Sequence, residues 1–364
     1  MKLKNNTIIT ELSGLPIALL HRYTLYGKCP VCQHIFFATC GVLICLWNYG
    51  FNILHSAATV YVTYRVLKRL GGSSLSVIII FIFNMAYLLC GYYMTSTDDY
   101  DIKWTMPQCV LALRLIGLSF NLLDGQKSEE EIELHDCIIP GISRMFLGFI
   151  YLICYQLGTS YIPNQYLLST EFQEQTFFKR LFIIGFWGHV NLYKYISCWL
   201  LAEGVCTIFG LTYNGKNKDG RPLWNGCENV KLLKFETASH FNDYILSFNI
   251  NTNTWCAEYI YKRLKFLGSK IYSQFFTLVF LAVWHGFHSG YYLCFFLEFV
   301  ITFAEKDLTQ ILTKQQKLQS LLKNHPALQI LTRILMMMHT FVFMGYSLIC
   351  FIFLSYSRYT HKLE

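Results

Sequence analysis

The chain has 364 residues, of which 54% are hydrophobic and only 14% are charged, and its mean hydropathy is +0.36. Soluble domains carry about 25% charged residues, so this chain has too few charges to cover a surface exposed to water. The net charge of +8 is dispersed along the chain, which favours anionic lipids or an anionic cosubstrate as partners and not nucleic acid. We predict an all-α polytopic membrane protein with a single domain over residues 1–364.

Apolar runs that approach the length needed to cross a bilayer core, about 20 residues, recur along the chain. In chain order, we predict membrane segments at residues 35–46 together with 51–66, then at 75–93, 109–123, 142–158, 181–209, 275–303 and 331–356. Gly125 directly follows the segment at 109–123 and is a plausible helix stop.

The composition changes between residues 212 and 254, where Gly, Asn, Asp and Lys are common. We predict that this is the largest segment that does not span the membrane. Residues 255–266 follow with apolar and basic positions interleaved, a pattern that fits an interfacial helix beside anionic headgroups. The basic residues at 262–270 then place this region on the cytosolic side.

One predicted membrane segment carries a stripe of polar and aromatic side chains. Tyr195, Trp199 and Glu203 recur at every fourth position, so they lie on one face of a helix. A carboxylate on such a face would not meet lipid. We predict that the stripe faces the protein interior or a cavity.

Two histidines, His285 and His288, interrupt the apolar run at 275–303, where they are costly unless they face protein or a water-filled cavity. No H-E-x-x-H pattern or nearby carboxylate accompanies them, which argues against a zinc site. The sequence also lacks the G-x-S-x-G elbow of a serine hydrolase. Burial favours a neutral imidazole, which can accept a proton from an alcohol. The alternative is that His285 is a hydrogen-bonded structural residue.

The sequence around these histidines resembles the membrane-bound O-acyltransferase family. The resemblance rests on Trp284-His285-Gly286-x-His288-x-Gly290-Tyr, preceded by Phe248-Asn249 and Trp255. Three further stretches are similar to the branch that acylates lysophosphatidylcholine: Asp101-Ile-Lys103-Trp104-Thr-Met-Pro107, Tyr193-Lys194-Tyr195 with Cys198-Trp199-Leu200 and Glu203-Gly204, and residues 247–266.

This resemblance implies a helical bundle with an internal reaction chamber, in a multi-pass protein of the endoplasmic reticulum membrane. Such an enzyme transfers a fatty acyl group from acyl-CoA to the free hydroxyl of a lysophospholipid, with acyl-CoA as cosubstrate and without a metal or other cofactor. The family's catalytic pair corresponds to Asn249 and His285. The residues expected to contact substrate are Trp284, His288, Tyr195, Trp199 and Glu203.

Two departures from the family's pattern indicate a shortened form. The connection that follows Asp124-Gly125-x-Lys127 is shorter than in that branch, and the chain ends soon after its last apolar run. Three alternatives to the main interpretation stay open: a different acyl acceptor (another lysophospholipid, a sterol or a peptide), a transporter or scaffold, and a non-catalytic membrane partner. Self-association into a homo-oligomer is a further expectation.

Overall fold

A computed structural model describes residues 2–97, 103–125 and 137–363 of the chain. Within these ranges the regular structure is helical, and extended pairing is limited to two isolated bridges, Lys216 with Pro222 and Val230 with Phe248. The prediction of an all-α protein is confirmed. The Asp101 end of one family-like motif and the connection at 126–136, where the chain is predicted to be shortened, lie outside the described residues.

Five helical stretches are long and apolar enough to cross a membrane, and they agree with five of the predicted apolar segments. The first of these stretches is Pro30–Leu70, in which a 3₁₀ turn at Gly50–Asn52 separates two α-helices. The N-terminal helices are α1 (Lys2–Thr24), α2 (Pro30–Tyr49), α3 (Ile53–Leu70), α4 (Ser74–Thr95), α5 (Thr105–Asp124) and α6 (Ile138–Tyr161). As predicted, α5 stops before Gly125, whose φ of +95° favours glycine.

The next helices include the longest one in the described chain, α9, which lies at the centre of the fold. They are α7 (Asn164–Leu167), α8 (Thr170–Gln173), α9 (Phe177–Ile208), α10 (Leu232–Glu236), α11 (Phe241–Ser247) and α12 (Ile250–Cys256). The C-terminal helices are α13 (Lys270–His285), α14 (Ser289–Lys314), α15 (Gln316–Asn324), α16 (Pro326–Phe353) and α17 (Tyr356–Leu363).

Helix α9 packs against α1, α6 and α16 and supplies much of the largest hydrophobic cluster, including Trp187, Ile196 and Leu200. At the crossing with α16 the two backbones touch, because Gly188 faces Gly345. A Cβ atom on Gly188 would lie 2.3 Å from the Cα of Gly345. Glycine is therefore required at this crossing, which sets how closely the two helices approach.

The segment predicted not to span the membrane is mostly irregular, and its three short helices α10, α11 and α12 contain five to seven residues each. The amphipathic stretch predicted at 255–266 is not one regular α-helix. It continues α12 as a π-helical turn at Ala257–Tyr261 and a 3₁₀ turn at Lys262–Leu267. Trp255 ties this region to α5, since its indole N–H donates to the Leu113 carbonyl at 2.9 Å.

The apolar run predicted at 275–303 is divided into two helices, α13 and α14. The break falls at Gly286, which has φ +129° and ψ −165°. Such a conformation is accessible to glycine and not to other residues. The break places His285 at the C-terminal end of a helix, and not in the middle of a continuous span.

Candidate active site

The last residue of α13, His285, is held by its own helix. Its Nδ1 atom lies 2.8 Å from the carbonyl oxygen of Leu281, one turn earlier. A carbonyl oxygen can only accept a hydrogen bond, so Nδ1 carries the proton in the neutral ring. Among the residues that the structure describes, none is hydrogen-bonded to Nε2. The ring therefore presents Nε2 as an unoccupied proton acceptor.

Aromatic side chains surround the imidazole of His285. Its ring centroid lies 4.6 Å from that of Trp284, 5.5 Å from Tyr291, 5.2 Å from Phe295 and 5.3 Å from Phe351. These contacts come from α13, α14 and α16, so three helices fix the orientation of the ring. A weakly polar surrounding of this kind favours an uncharged imidazole.

The two other residues singled out in this motif also have defined positions. The indole N–H of Trp284 donates to the carbonyl of Cys109 in α5 at 3.0 Å, and the side chain is buried. His288 immediately precedes α14, and its ring lies 6.0 Å from that of Tyr291. Trp284 therefore packs against His285, and the rings of His288 and His285 both contact that of Tyr291. The contact of Trp284 and His288 with substrate stays a prediction.

Asn249 precedes α12 in a left-handed conformation, with φ +52° and ψ +45°. Asparagine tolerates this conformation better than most residues, but backbone strain of this kind persists only where the surroundings enforce it. Here the enforcement comes from the segment at 229–231. Lys231 N donates to Ser247 O at 2.8 Å, and Ile250 N donates to Asn229 O at 3.1 Å.

The predicted stripe on α9 meets the residue that precedes Asn249. The ring of Trp199 lies 4.8 Å from that of Phe248, and the ring of Tyr195 lies 6.3 Å from it. Tyr195 and Trp199 are themselves 6.1 Å apart. The structure thus brings two stripe residues to the Asn249 loop, and their contact with substrate stays a prediction.

Glu203, the third stripe residue, is the buried member of a partly exposed ion-pair cluster. Arg144 of α6 donates to Glu203 at 2.9 Å and to Glu228 at 3.1 Å. Only 2% of the Glu203 side chain is exposed. Because Glu228 directly precedes Asn229, this cluster anchors the strand-like segment that supports Asn249.

A second polar cluster, which the sequence did not reveal, is centred on Glu236. Glu236 of α10 accepts hydrogen bonds from Tyr151 at 2.8 Å, His189 at 2.9 Å and Tyr193 at 3.3 Å. Burial disfavours the charged carboxylate, but these hydrogen bonds outweigh burial and hold the pKa of Glu236 below its ordinary value. His189 recurs at helical spacing with Tyr193, which is the only sequence signal for the cluster.

The chain neighbours of the two predicted catalytic residues pack against different hydrophobic clusters. Within the described ranges no hydrogen bond joins Asn249 to His285. Phe248 packs against the cluster around α9, whereas Trp284 belongs to a second cluster with α4 and α5. Phe351 of α16 packs against both clusters. The pairing of Asn249 with His285 at one reaction centre stays a prediction, as does a chamber between them.

Within the described residues, no group of three or more His, Cys, Asp or Glu side chains is placed to hold a metal ion. The chemistry offered by the site is that of an imidazole base, carboxamides and aromatic surfaces.

Comparison with known proteins matches residues 134–349 to the membrane-bound O-acyltransferase family. The chain is 38% identical to Lysophospholipid acyltransferase 5 of Drosophila melanogaster, over 97% of this chain and 81% of that protein. It is 35% identical to the Homo sapiens protein of the same name, over 97% and 83%, and 29% identical to that of Caenorhabditis elegans, over 84% and 76%.

The match with the Drosophila melanogaster protein covers 404 positions, whereas this chain has 364 residues in all. At least 40 of the matched positions (404 less 364) therefore have no counterpart in this chain.

Proposed function

The chain belongs to the membrane-bound O-acyltransferase family, and we propose that it transfers a fatty acyl group from acyl-CoA to the free hydroxyl of a lysophospholipid. The relatives that match 97% of its length carry the name lysophospholipid acyltransferase 5. The structural observation that carries the proposal is His285, whose Nδ1 is bound to a backbone carbonyl while Nε2 is left to accept a proton.

In the proposed reaction, Nε2 of His285 takes the proton of the acceptor hydroxyl as the oxygen attacks the thioester carbonyl. The tetrahedral intermediate collapses, the C–S bond breaks, and the proton passes from the imidazolium to the departing CoA thiolate. The Nδ1–H bond to Leu281 keeps the ring in the required tautomer and supports the positive charge while it exists. The products are a phospholipid and free CoA, so atoms and charge balance without a metal or redox cofactor.

Asn249 supplies the second catalytic group in this proposal, as a carboxamide that interacts with the reacting groups without adding charge. Tyr195 and Trp199, together with Phe248, form an aromatic wall beside it that we assign to contact with substrate. Trp284 and His288 are assigned to the same role on the side of His285. Glu203 contributes through Arg144, because its carboxylate is enclosed by protein.

The preferred acceptor in this proposal is lysophosphatidylcholine, and the membrane is that of the endoplasmic reticulum. Both assignments rest on the similarity of the motifs at residues 193–204 and 247–266. Purified chain in detergent, given acyl-CoA and a panel of lysophospholipids with different headgroups, a sterol and a peptide, tests the acceptor. Transfer to lysophosphatidylcholine at the highest kcat/KM supports the assignment, and a preference for another headgroup, a sterol or a peptide contradicts it.

A second candidate function follows from the matched positions that this chain lacks. A chain without at least 40 positions of its relative could serve as a non-catalytic partner of a complete acyltransferase. Co-expression with the longer relative tests this function. Stable co-purification, combined with no acyl transfer by the chain alone, would favour the partner role over catalysis and would also support oligomerisation.

A further inference from the structure

The side chain of Asn229 faces the carboxamide of Asn249. It lies in the irregular segment before α10 and is partly buried. Its backbone carbonyl accepts from Ile250 N at 3.1 Å, and its side-chain Oδ1 accepts from Asn251 N at 2.9 Å. Asn229 therefore binds the two backbone N–H groups that follow Asn249, which satisfies the start of α12.

These contacts decide which way the Asn229 carboxamide points. A backbone N–H only donates, so the atom facing Asn251 must be the oxygen, and the amide nitrogen must face the opposite way. That nitrogen, Nδ2, faces Oδ1 of Asn249 at 3.5 Å. The distance is long for a hydrogen bond, as contacts at active sites without substrate often are.

The same contacts leave Asn249 little freedom to turn. Its left-handed backbone is enclosed between the Val230–Phe248 bridge and the first turn of α12, where Asn253 N donates to Asn249 O at 3.0 Å. The segment that carries Asn229 is anchored in turn, because Glu228 is bound by Arg144 at 3.1 Å. The two carboxamides thus face each other from two fixed pieces of backbone.

We infer that Asn229 is a positioning residue, which holds the oxygen of Asn249 toward itself and leaves the NH₂ group of Asn249 to donate to the reacting groups. This inference rests on the proposed function. In an acyl transfer, the group that gains negative charge is the thioester carbonyl oxygen. A donor aimed at that oxygen stabilises the transition state more than the ground state.

The substitution that isolates this role is Asn229→Asp. It keeps an oxygen for Asn251 N–H, but it replaces the donor that faces Asn249 with a second oxygen. The expected result is a loss in kcat of about 10- to 100-fold, the size seen when the hydrogen-bond partners that orient metal ligands are removed, with the KM for acyl-CoA changed little. Asn225→Asp is the matched control, because Asn225 lies on the same segment and its Oδ1 only accepts from Asn214, at 3.0 Å.

A double substitution distinguishes positioning from general support of the fold. If Asn229 acts only through Asn249, then Asn229→Asp adds no further loss in a chain that already carries Asn249→Ala. Full additivity of the two losses would show a structural role and overturn the inference. Asn229→Ser, which keeps an oxygen near Asn251 but does not reach Asn249, replaces the aspartate variant if that variant does not fold.

The outcomes separate this inference from the proposed function. Wild-type chain that transfers no acyl group to any acceptor would overturn the proposed function, and the inference with it. An active wild type, together with Asn229→Asp and Asn229→Ser variants that keep wild-type kcat, would overturn the inference alone.

Discussion

The ion-pair cluster of Arg144 with Glu203 and Glu228 yields a prediction whose size follows from burial. Arg144→Met removes the guanidinium but keeps most of the side-chain volume. Glu203, with 2% of its side chain exposed, then has no counter-charge, whereas Glu228 is 21% exposed and reaches water more easily. Removing one partner of a buried ion pair destabilises a protein by about 3–5 kcal/mol.

The destabilisation caused by Arg144→Met cannot exceed the free energy needed to protonate the Glu203 carboxylate, because the protonated group no longer needs a counter-charge. A carboxyl group with the ordinary pKa of about 4.3 takes up a proton at pH 7 at a cost of about 3.7 kcal/mol, and at pH 5 at about 1 kcal/mol. The expected destabilisation at pH 7 is therefore about 3–4 kcal/mol, and it decreases as the pH falls toward 5. The same change frees Glu228, so acyl transfer should fall as well.

Thermal unfolding of the detergent-purified variants provides the measurement. Arg144→Met should lower the melting midpoint by roughly 5–10 °C, and adding Glu203→Gln should recover most of that loss by removing the buried charge. Arg65→Met is the control, since Arg65 is exposed and its contacts are with exposed Tyr61, at 3.4 Å from the hydroxyl and 5.8 Å from the ring centroid. A midpoint for Arg144→Met within about 1 °C of wild type would refute the claim that this cluster anchors the Asn249 loop.

Three further predictions address other parts of the structure. Gly290→Ala places a Cβ 2.0 Å from a carbonyl oxygen of α16, so it should destabilise the chain by about 1–3 kcal/mol or more. In the same melting assay Gly41→Ala, in the interior of α2 with nothing within 4 Å of the added Cβ, should not lower the midpoint, and equal midpoints for the two variants would contradict the close contact at Gly290. Glu236 stabilises the fold above its unfolded pKa of about 4.3, and this contribution is lost as the pH falls through the lower pKa that Glu236 has in the folded state. Glu236→Gln should therefore remove this part of the loss of stability in acid. A stability–pH curve unchanged by the substitution would contradict this role. Trp284→Phe loses the hydrogen bond to Cys109 at 3.0 Å, so the free energy of unfolding should fall by about 1 kcal/mol. If Trp284 also contacts substrate, the folded variant should show a raised KM for acyl-CoA or for the lysophospholipid, and unchanged KM values would contradict that contact.

Much of the helical architecture could be predicted because long apolar runs have few alternatives in a membrane. The helices at Ser74–Thr95 and Thr105–Asp124 lie within a few residues of the predicted segments, and Gly125 ends the second as expected. The break after His285 was not predicted. Both sides of it are apolar, so hydropathy gives no signal, and a single glycine in such a run does not by itself indicate a break.

Side-chain partners were harder to predict than helices. The stripe of Tyr195, Trp199 and Glu203 follows from helical spacing, but its partners Phe248 and Arg144 are 49 to 59 positions away from it in the chain. No local pattern connects residues at such separations. The role of Asn229 could not be predicted either, because it depends on an irregular segment whose path is fixed by tertiary contacts and not by periodicity.

The central claim is that Nε2 of His285 is the base that accepts the proton of the lysophospholipid hydroxyl. The direct measurement is acyl transfer from acyl-CoA to lysophosphatidylcholine by purified wild-type chain and by His285→Ala, with His325→Ala as a control outside the site. We expect His285→Ala to lower kcat by roughly 10²- to 10⁴-fold while the melting profile is retained and the control keeps full activity. A folded His285→Ala variant with wild-type turnover would contradict the account.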